Sequence, residues 1–265
     1  MKRKSVLKKL VAGVAVFSMA FTMLSPISVK AAGKIYYPKK QVVYQTSKTG
    51  GGYVNFSVDN IPKGQKVFKV TSNKTAVAKP YRIYHNNNEY TNTYLEKGMT
   101  QFSNTGGSRY ANIELRALKK GTATISYKIG KSTKSCKTYK TILTVYAYEN
   151  PIRSLTITGV NNGKNLASAF KTNNYAFETK PVAKNQSNAR ITVATNKNWK
   201  VTSISISKNY DNSYMYISYP QKSARTSLTL PVGTLKAKRG AYVYVNLYNT
   251  KTGGTQNCTY YIAGR

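Results

Sequence analysis

The sequence predicts an all-β protein of two tandem β-sandwiches behind a secretory leader, and three observations carry that prediction. Apolar residues recur with a period of two. Over residues 121–128, Ala123, Ile125 and Tyr127 fall on one side and Thr122, Thr124, Ser126 and Lys128 on the other, as in a half-buried strand. Such runs are short and separated by turn residues along most of the chain. Finally, the chain has 265 residues, and a sandwich takes about 100, so two fit after a leader.

Residues 1–31 read as a signal peptide. Lys2, Arg3, Lys4, Lys8 and Lys9 precede the mostly apolar stretch 10–24, and Val29-Lys30-Ala31 places cleavage after Ala31. That apolar stretch is shorter than the roughly 18 residues that span a bilayer. No Cys lies near the cleavage site, and neither an apolar tail nor a sorting-type signal precedes Arg265. The expectation is a secreted protein, released or held at a surface without a covalent or transmembrane anchor.

The first sandwich is expected over 32–149. Residues 34–37 and 41–44 read as short strands broken at Pro38, and Gly50, Gly51 and Gly52 turn the chain. Residues 53–58 alternate, Ile61-Pro62-Lys63-Gly64 is a turn, and 67–71 and 76–78 continue the sheet. Between Tyr84 and Tyr110 alternation lapses into a long polar stretch, expected to be a loop that binds something or is disordered. Residues 111–118 restore alternation with Ile113 and Leu115 inward. A hairpin then pairs 121–128 with 138–148 around the polar turn 130–135, before Glu149-Asn150-Pro151 interrupts.

Leu118-Lys-Lys-Gly121-Thr-Ala-Thr-Ile-Ser-Tyr127 and Thr141-Ile-Leu-Thr-Val145 resemble the bacterial immunoglobulin-like domains of group 2, as does the stretch from Ser72 to Ala78. The resemblance covers the end of the first domain well, its start loosely and the second domain only in style. It implies immunoglobulin-like sandwiches of the kind found in bacterial surface and adhesion modules.

The second sandwich is expected over 150–265. Its strands read at 155–157, 175–178, 190–194, 199–207, 213–219, 227–232, 241–248 and 257–262, with a helical turn at 166–170. The halves are not close sequence repeats.

Charge is the strongest compositional signal. Six of the 42 basic residues lie in the leader, which leaves 36 against 7 acidic residues, a net +29. That imbalance predicts attraction to polyanions: an anionic cell-wall polymer, an acidic glycan, or extracellular nucleic acid. Lysine greatly outnumbers arginine, which suits diffuse attraction better than bidentate reading of one phosphate or carboxylate. Lysine also blunts exposed sheet edges, and the cluster Lys131, Lys134, Lys137 and Lys140 reads as a solvated turn.

Catalytic and metal chemistry find little to work with. The one histidine is His85, and Asp59, Glu89, Glu96, Glu114, Glu149, Glu178 and Asp211 are scattered. Neither a paired-carboxylate hydrolase nor a triad emerges, nor a zinc or calcium ligand set. No enzyme activity, cofactor or metal is expected. Cys136 and Cys258 sit one per domain, with Cys136 at the hairpin pole, which argues against an intramolecular disulfide. They are expected as free or intermolecularly paired thiols.

The 23 tyrosines carry the candidate site. Val243, Val245 and Leu247 take one face of their strand, so Tyr242, Tyr244 and Tyr248 face out, and Tyr214 and Tyr216 stand opposite Met215 and Ile217. Flanked by Lys208, Lys222, Lys236, Lys238 and Arg239, that face either stacks on sugars or bases or only stabilises a wet sheet by cross-strand pairing. Trp199 reads as a core anchor, with a sugar platform as the other reading. The function that follows is non-enzymatic attachment to anionic surface polymers or glycans. The alternatives are a purely structural or protein-binding extracellular module, or a nucleic-acid or matrix binder.

Overall fold

The computed structural model describes residues 34–85, 91–94, 110–208 and 213–264. The leader and most of the stretch between Tyr84 and Tyr110 lie outside the described residues. The chain divides into two compact units. One holds the described residues up to Gln45 together with Gly51–Tyr146, and the other holds Thr46–Gly50 and Ala147–Arg265.

Unit 1 contains β1 (Lys40–Tyr44), β2 (Tyr53–Val58), β3 (Lys66–Ser72), β4 (Ala78–His85), β5 (Thr91–Tyr94), β6 (Ala111–Ala117), β7 (Gly121–Gly130) and β8 (Cys136–Tyr146). One sheet runs β1–β8–β7–β3, with β1 parallel to β8, and the other runs β2–β6–β4–β5. The alternating faces meet in one core: Val54, Phe56 and Val58 with Ile113 and Leu115 on one side, Ala123, Ile125, Tyr127, Leu143 and Val145 on the other. Burying aliphatic side chains of this size stabilises by about 1.5–3 kcal/mol each relative to exposure. The β7–β8 turn needs glycine at Gly130, where a Cβ would lie 2.1 Å from the Ser135 carbonyl oxygen.

Two local expectations change here. Residues 34–37 make only a single bridge, Tyr36 to Asp59, and pairing starts at Lys40 beyond Pro38. The polar stretch after Tyr84 is not all loop, because β5 returns antiparallel along β4 from Arg82↔Tyr94 to His85↔Thr91. An edge strand needs backbone partners on one side and no apolar face, so Thr91-Asn-Thr-Tyr94 shows no hydrophobic period.

Unit 2 contains β9 (Ile152–Ile157), β10 (Tyr175–Glu178), β11 (Gln186–Thr195), β12 (Trp199–Lys208), β13 (Ser213–Ser218), β14 (Ser227–Leu235), β15 (Ala241–Asn249) and β16 (Thr255–Ile262). Within the unit one sheet runs β10–β16–β15–β12–β13, with β10 parallel to β16, and the other runs β9–β11–β14. Ile204, Ile206, Val243, Val245 and Leu247 face Ile157, Ile191, Val193 and Val232 across the core. The expected helical turn is a 3-10 turn at Ala167–Phe170 that buries Phe170.

The two units share a strand order. In each, an early strand lies parallel to the last, which pairs with the one before it, which pairs with a strand from the middle of the domain. This is the immunoglobulin-type sandwich arrangement, and the protein is an all-β chain of two such sandwiches.

The segment joining the units belongs to unit 2 in its bonding. Tyr148 donates its hydroxyl to the Asn173 carbonyl at 2.8 Å and also bonds the Phe170 carbonyl. Glu149 Oε1 accepts from Trp199 Nε1 at 2.6 Å. Thr46–Gly50 also pairs within unit 2, through Lys48 N to Thr172 O at 2.7 Å and Asn174 N to Thr46 O at 2.8 Å.

Candidate functional site

Strand β15 sets the geometry of the candidate face. Val243, Val245 and Leu247 are buried against the core, and Tyr242, Tyr244 and Tyr248 stand half-buried on the opposite side. Residues directly opposite each other on neighbouring strands share a face. Tyr242 lies opposite Ser207 on β12 and Tyr261 on β16. Ser207 is in turn opposite Tyr214 on β13, and Tyr261 opposite Phe177 on β10. One row of this outer face therefore reads Tyr214, Ser207, Tyr242, Tyr261, Phe177. The next row reads Tyr216, Ser205, Tyr244, Thr259, Tyr175.

The rings form an aromatic surface in two groups, one on β10, β16 and β15 and one on β13. Tyr242 and Tyr261 have centroids 4.6 Å apart, Phe177 and Tyr261 4.9 Å, Tyr242 and Tyr244 6.2 Å, and Tyr214 and Tyr216 6.0 Å. Its outer members are exposed, with Tyr216 at 66%, Phe177 at 48% and Tyr214 at 47%. Serines on the central strand let neighbouring rings lie low, and Ser205 retains only 4% of its surface although it points outward. Partial burial pushes the Tyr244 hydroxyl up to about 12, with Tyr242, Tyr214 and Tyr175 adding to the effect. Tyr175 rises to about 12 for the same reason, beside Tyr242 and Tyr261. These phenols stay neutral hydrogen-bond donors at ordinary pH.

The third row is polar and self-satisfied. Asn246 Nδ2 donates to Ser203 Oγ at 2.8 Å, Asn257 Nδ2 to Asn246 Oδ1 at 2.8 Å, and Thr259 Oγ1 to Asn257 Oδ1 at 3.0 Å. Tyr248 lies beyond this row, opposite Lys200 and Thr255. It stands about 13 Å along the strand from Tyr244, at 3.3 Å per residue, so it is not part of the ring cluster.

Of the flanking cations, Lys236, Lys238 and Arg239 are exposed on the turn that leads into β15. They border the Tyr242 end of the face. That turn is tied to the segment after β10, through Lys238 N to Val182 O at 3.0 Å and Ala237 N to Asn185 Oδ1 at 2.8 Å. The tie brings Lys180 and Lys184, both exposed, to the same end. Glu178 lies there too, but its carboxylate accepts from the Tyr260 hydroxyl and the Lys180 amide, each at 3.0 Å. Lys208 does not flank the face as expected. It alternates inward, is buried, and donates to the Val232 carbonyl at 2.7 Å. Lys222 sits in the 3-10 turn Gln221–Ser223, exposed.

Sequence reasoning missed Tyr175, Phe177 and Tyr261. The outward phase of Tyr261 is legible beside the inward Tyr260 and Ile262. The parallel pairing that sets β10 beside β16 joins residues about 80 apart and leaves no local signal.

Trp199 is a core anchor, 2% exposed. Cys258 is fully buried, and burial pushes its thiol far up, whereas Cys136 is half-buried with Sγ 3.3 Å from the Thr133 carbonyl. Both are free thiols, and only Cys136 is within reach of another molecule. In unit 1, Arg82 pairs with buried Glu114, and Arg116 lies over the Tyr81 ring at 4.6 Å. Burial raises the Glu114 carboxyl, and Arg82 and Arg116 oppose that rise. Among the described residues no three of His, Cys, Asp and Glu come together as a metal site, and no helix is long and apolar enough to cross a membrane.

No family model matches the chain. No curated protein matches it either. Solved structures that resemble it include surface-layer, immunoglobulin-like and adhesin fragments. Domains 5-6 of the S-layer protein SbsC match at 15% identity and TM-score 0.29, over 88% of this chain and 98% of that one. The Ig1-2 module of the Drosophila receptor protein tyrosine phosphatase DLAR matches at 9% identity and TM-score 0.30, again over 88% and 98%. The Yersinia pseudotuberculosis adhesin InvE matches at 13% identity and TM-score 0.23, over 86% of this chain and 58% of that one. Likeness this distant transfers no role. The sandwich assignment rests on the strand order above.

Proposed function

We propose that the protein is a secreted, non-enzymatic module that attaches to anionic surface polymers, with the tyrosine face of unit 2 as its contact surface. The observation that carries this reading is a +29 chain that concentrates exposed rings on one sheet face and sets Lys236, Lys238 and Arg239 at its border. Lysines supply diffuse attraction and raise the encounter rate. The rings supply contact area that a purely cationic surface lacks. The resemblance of residues 118–127 and 141–145 to group 2 bacterial immunoglobulin-like domains agrees with a role at the bacterial surface.

A structural spacer is the second reading, and one observation favours it: the rings already contact each other across β10, β16 and β15. Retention of the full chain without its leader on purified cell wall, mucin and DNA, each across a salt series, separates the two. Attachment through six or more lysine contacts should weaken by roughly 10³ between 50 and 200 mM salt. Retention that does not change over that range rules out the polyanion reading.

A further inference from the structure

We infer that the ligand of this face is an acidic polysaccharide that crosses the strands along the row Tyr214, Tyr242, Tyr261, Phe177, with its sugar rings on the aromatic surface and its acidic groups turned toward the basic border. The inference rests on the polyanion reading and narrows it to one ligand class.

The row runs from β13 to β10 across four strand intervals, or about 19 Å at 4.8 Å each. Several sugar rings in succession fit that length. It lies next to the sheet end that carries Lys180, Lys184, Lys236, Lys238 and Arg239. A chain laid along the row thus has rings beneath it and cations along one side from Tyr242 to Phe177. Among the described residues the one acid there, Glu178, is engaged by the Tyr260 hydroxyl and the Lys180 amide, so it offers the ligand little repulsion.

Three features favour a glycan over a single-stranded nucleic acid. At the middle of the row Tyr242 is tilted against Tyr261 by 40°. A flat base stacks best on a parallel ring face, whereas the puckered C–H faces of a sugar adapt to a corrugated surface. The border holds four lysines to one arginine, so most of its cations are point charges and not the forked donors that grip phosphate bidentately. The neighbouring amides Asn246 and Asn257 bond each other and Ser203, so they are not directed outward to read base edges.

The test uses the full chain without its leader and three immobilised probes: polygalacturonate, its methyl-esterified form, and a single-stranded oligothymidylate. The ring variant is Tyr214→Ser with Phe177→Ser, both at half-exposed positions. The charge variant is Lys238→Gln with Arg239→Gln. The ring variant should bind polygalacturonate about 25-fold or more weakly, from a loss of fivefold or more per ring, with a melting temperature that barely moves. It should also weaken the residual binding to the esterified polymer. The charge variant should weaken polygalacturonate but not its esterified form, and reduce the salt slope. Oligothymidylate should respond to charge alone.

Ring-independent binding to polygalacturonate overturns the inference while leaving the polyanion reading standing. So does ring-dependent binding to oligothymidylate that equals or exceeds the glycan's. If neither charged probe binds with salt dependence, the polyanion reading itself falls. Should the double ring variant melt early, Phe177→Thr alone, which keeps strand propensity, replaces it with the same expected direction.

Discussion

Tyr127 and Tyr244 occupy the same strand of two similar sandwiches and do opposite things. Each lies on the penultimate strand, β7 in unit 1 and β15 in unit 2, between the last strand and one from the middle of the domain. Tyr127 falls in the same phase as Ala123 and Ile125, so it is buried and bonds Thr141 Oγ1 at 3.4 Å within the core. Tyr244 falls out of phase with Val243 and Val245 and joins the outer face. A shift of one residue in phase moves a tyrosine from core to surface. The outer face of β7 accordingly carries Thr122, Thr124, Ser126 and Lys128, and unit 1 has no counterpart there to the aromatic surface of unit 2.

The strongest test of that contrast is to truncate the two rings. Tyr127 contacts Tyr37, Tyr139 and Phe56 with no exposed surface. Tyr127→Ala should cost on the order of 3–5 kcal/mol, as for other large core aromatics, and a urea melt of the full chain should show it. Within unit 2, Leu247→Ala should cost about 2–5 kcal/mol. Tyr242→Ser, one face over, should cost only a cross-strand contribution of about 0.2–1 kcal/mol. A Tyr242→Ser protein as unstable as Tyr127→Ala would abolish the distinction between inner and outer rings.

A smaller effect is expected where the linker feeds unit 2. Glu149 Oε1 accepts from both Trp199 Nε1 and Asn249 Nδ2. Trp199→Phe keeps an aromatic ring but removes the first bond, and should cost about 1.5 kcal/mol, the lower end for a bond to a charged group because Glu149 stays exposed. Glu149→Gln should cost less than Trp199→Phe. A larger loss for Glu149→Gln in thermal melts would show the charge, not the bond, to be what matters.

The sandwich architecture was legible in the sequence because most strands carry their own hydrophobic period. The phases of β7, β8 and β15 follow directly from Ala123-Thr-Ile125-Ser-Tyr127, Leu143-Thr-Val145 and Val243-Tyr-Val245-Asn-Leu247. What a strand pairs with is a different kind of information. Nothing local in Tyr175-Ala-Phe-Glu178 points to β16, so Phe177 and Tyr175 stayed invisible as partners of the tyrosine face. Lys208 misled for a related reason. A lysine beside outward tyrosines reads as exposed, yet the alternation of β12 from Ile204 onward turns it inward to the Val232 carbonyl. Tyr148 and Glu149 read as the end of a strand and a linker, and only the completed packing shows that their partners lie in unit 2.

The smallest expected effect is a difference in how the two kinds of tyrosine meet alkali. Desolvation holds the Tyr244 and Tyr175 phenols up to about 12, against 10.0 for an ordinary tyrosine, and raises fully buried Tyr127 further. A group whose pKa is higher folded than unfolded binds more protons in the native state over that interval. Its stabilisation is fully present below pH 10 and drains away as pH rises toward the folded value. Stability should therefore be flat in this respect up to about pH 10 and then fall, in both units. The difference lies in the titration itself. Tyr244 and Tyr175 are partly exposed, so they should ionise near pH 12 without loss of sheet structure. Tyr127 has no solvent contact and should ionise only as unit 1 opens. Tyrosinate absorbance followed alongside far-ultraviolet circular dichroism separates the two, and Tyr244→Phe should remove part of the absorbance change that precedes unfolding. If Tyr127→Phe removes it instead, the tyrosine that meets solvent first lies in unit 1, and the assignment of core and surface rings between the units is reversed.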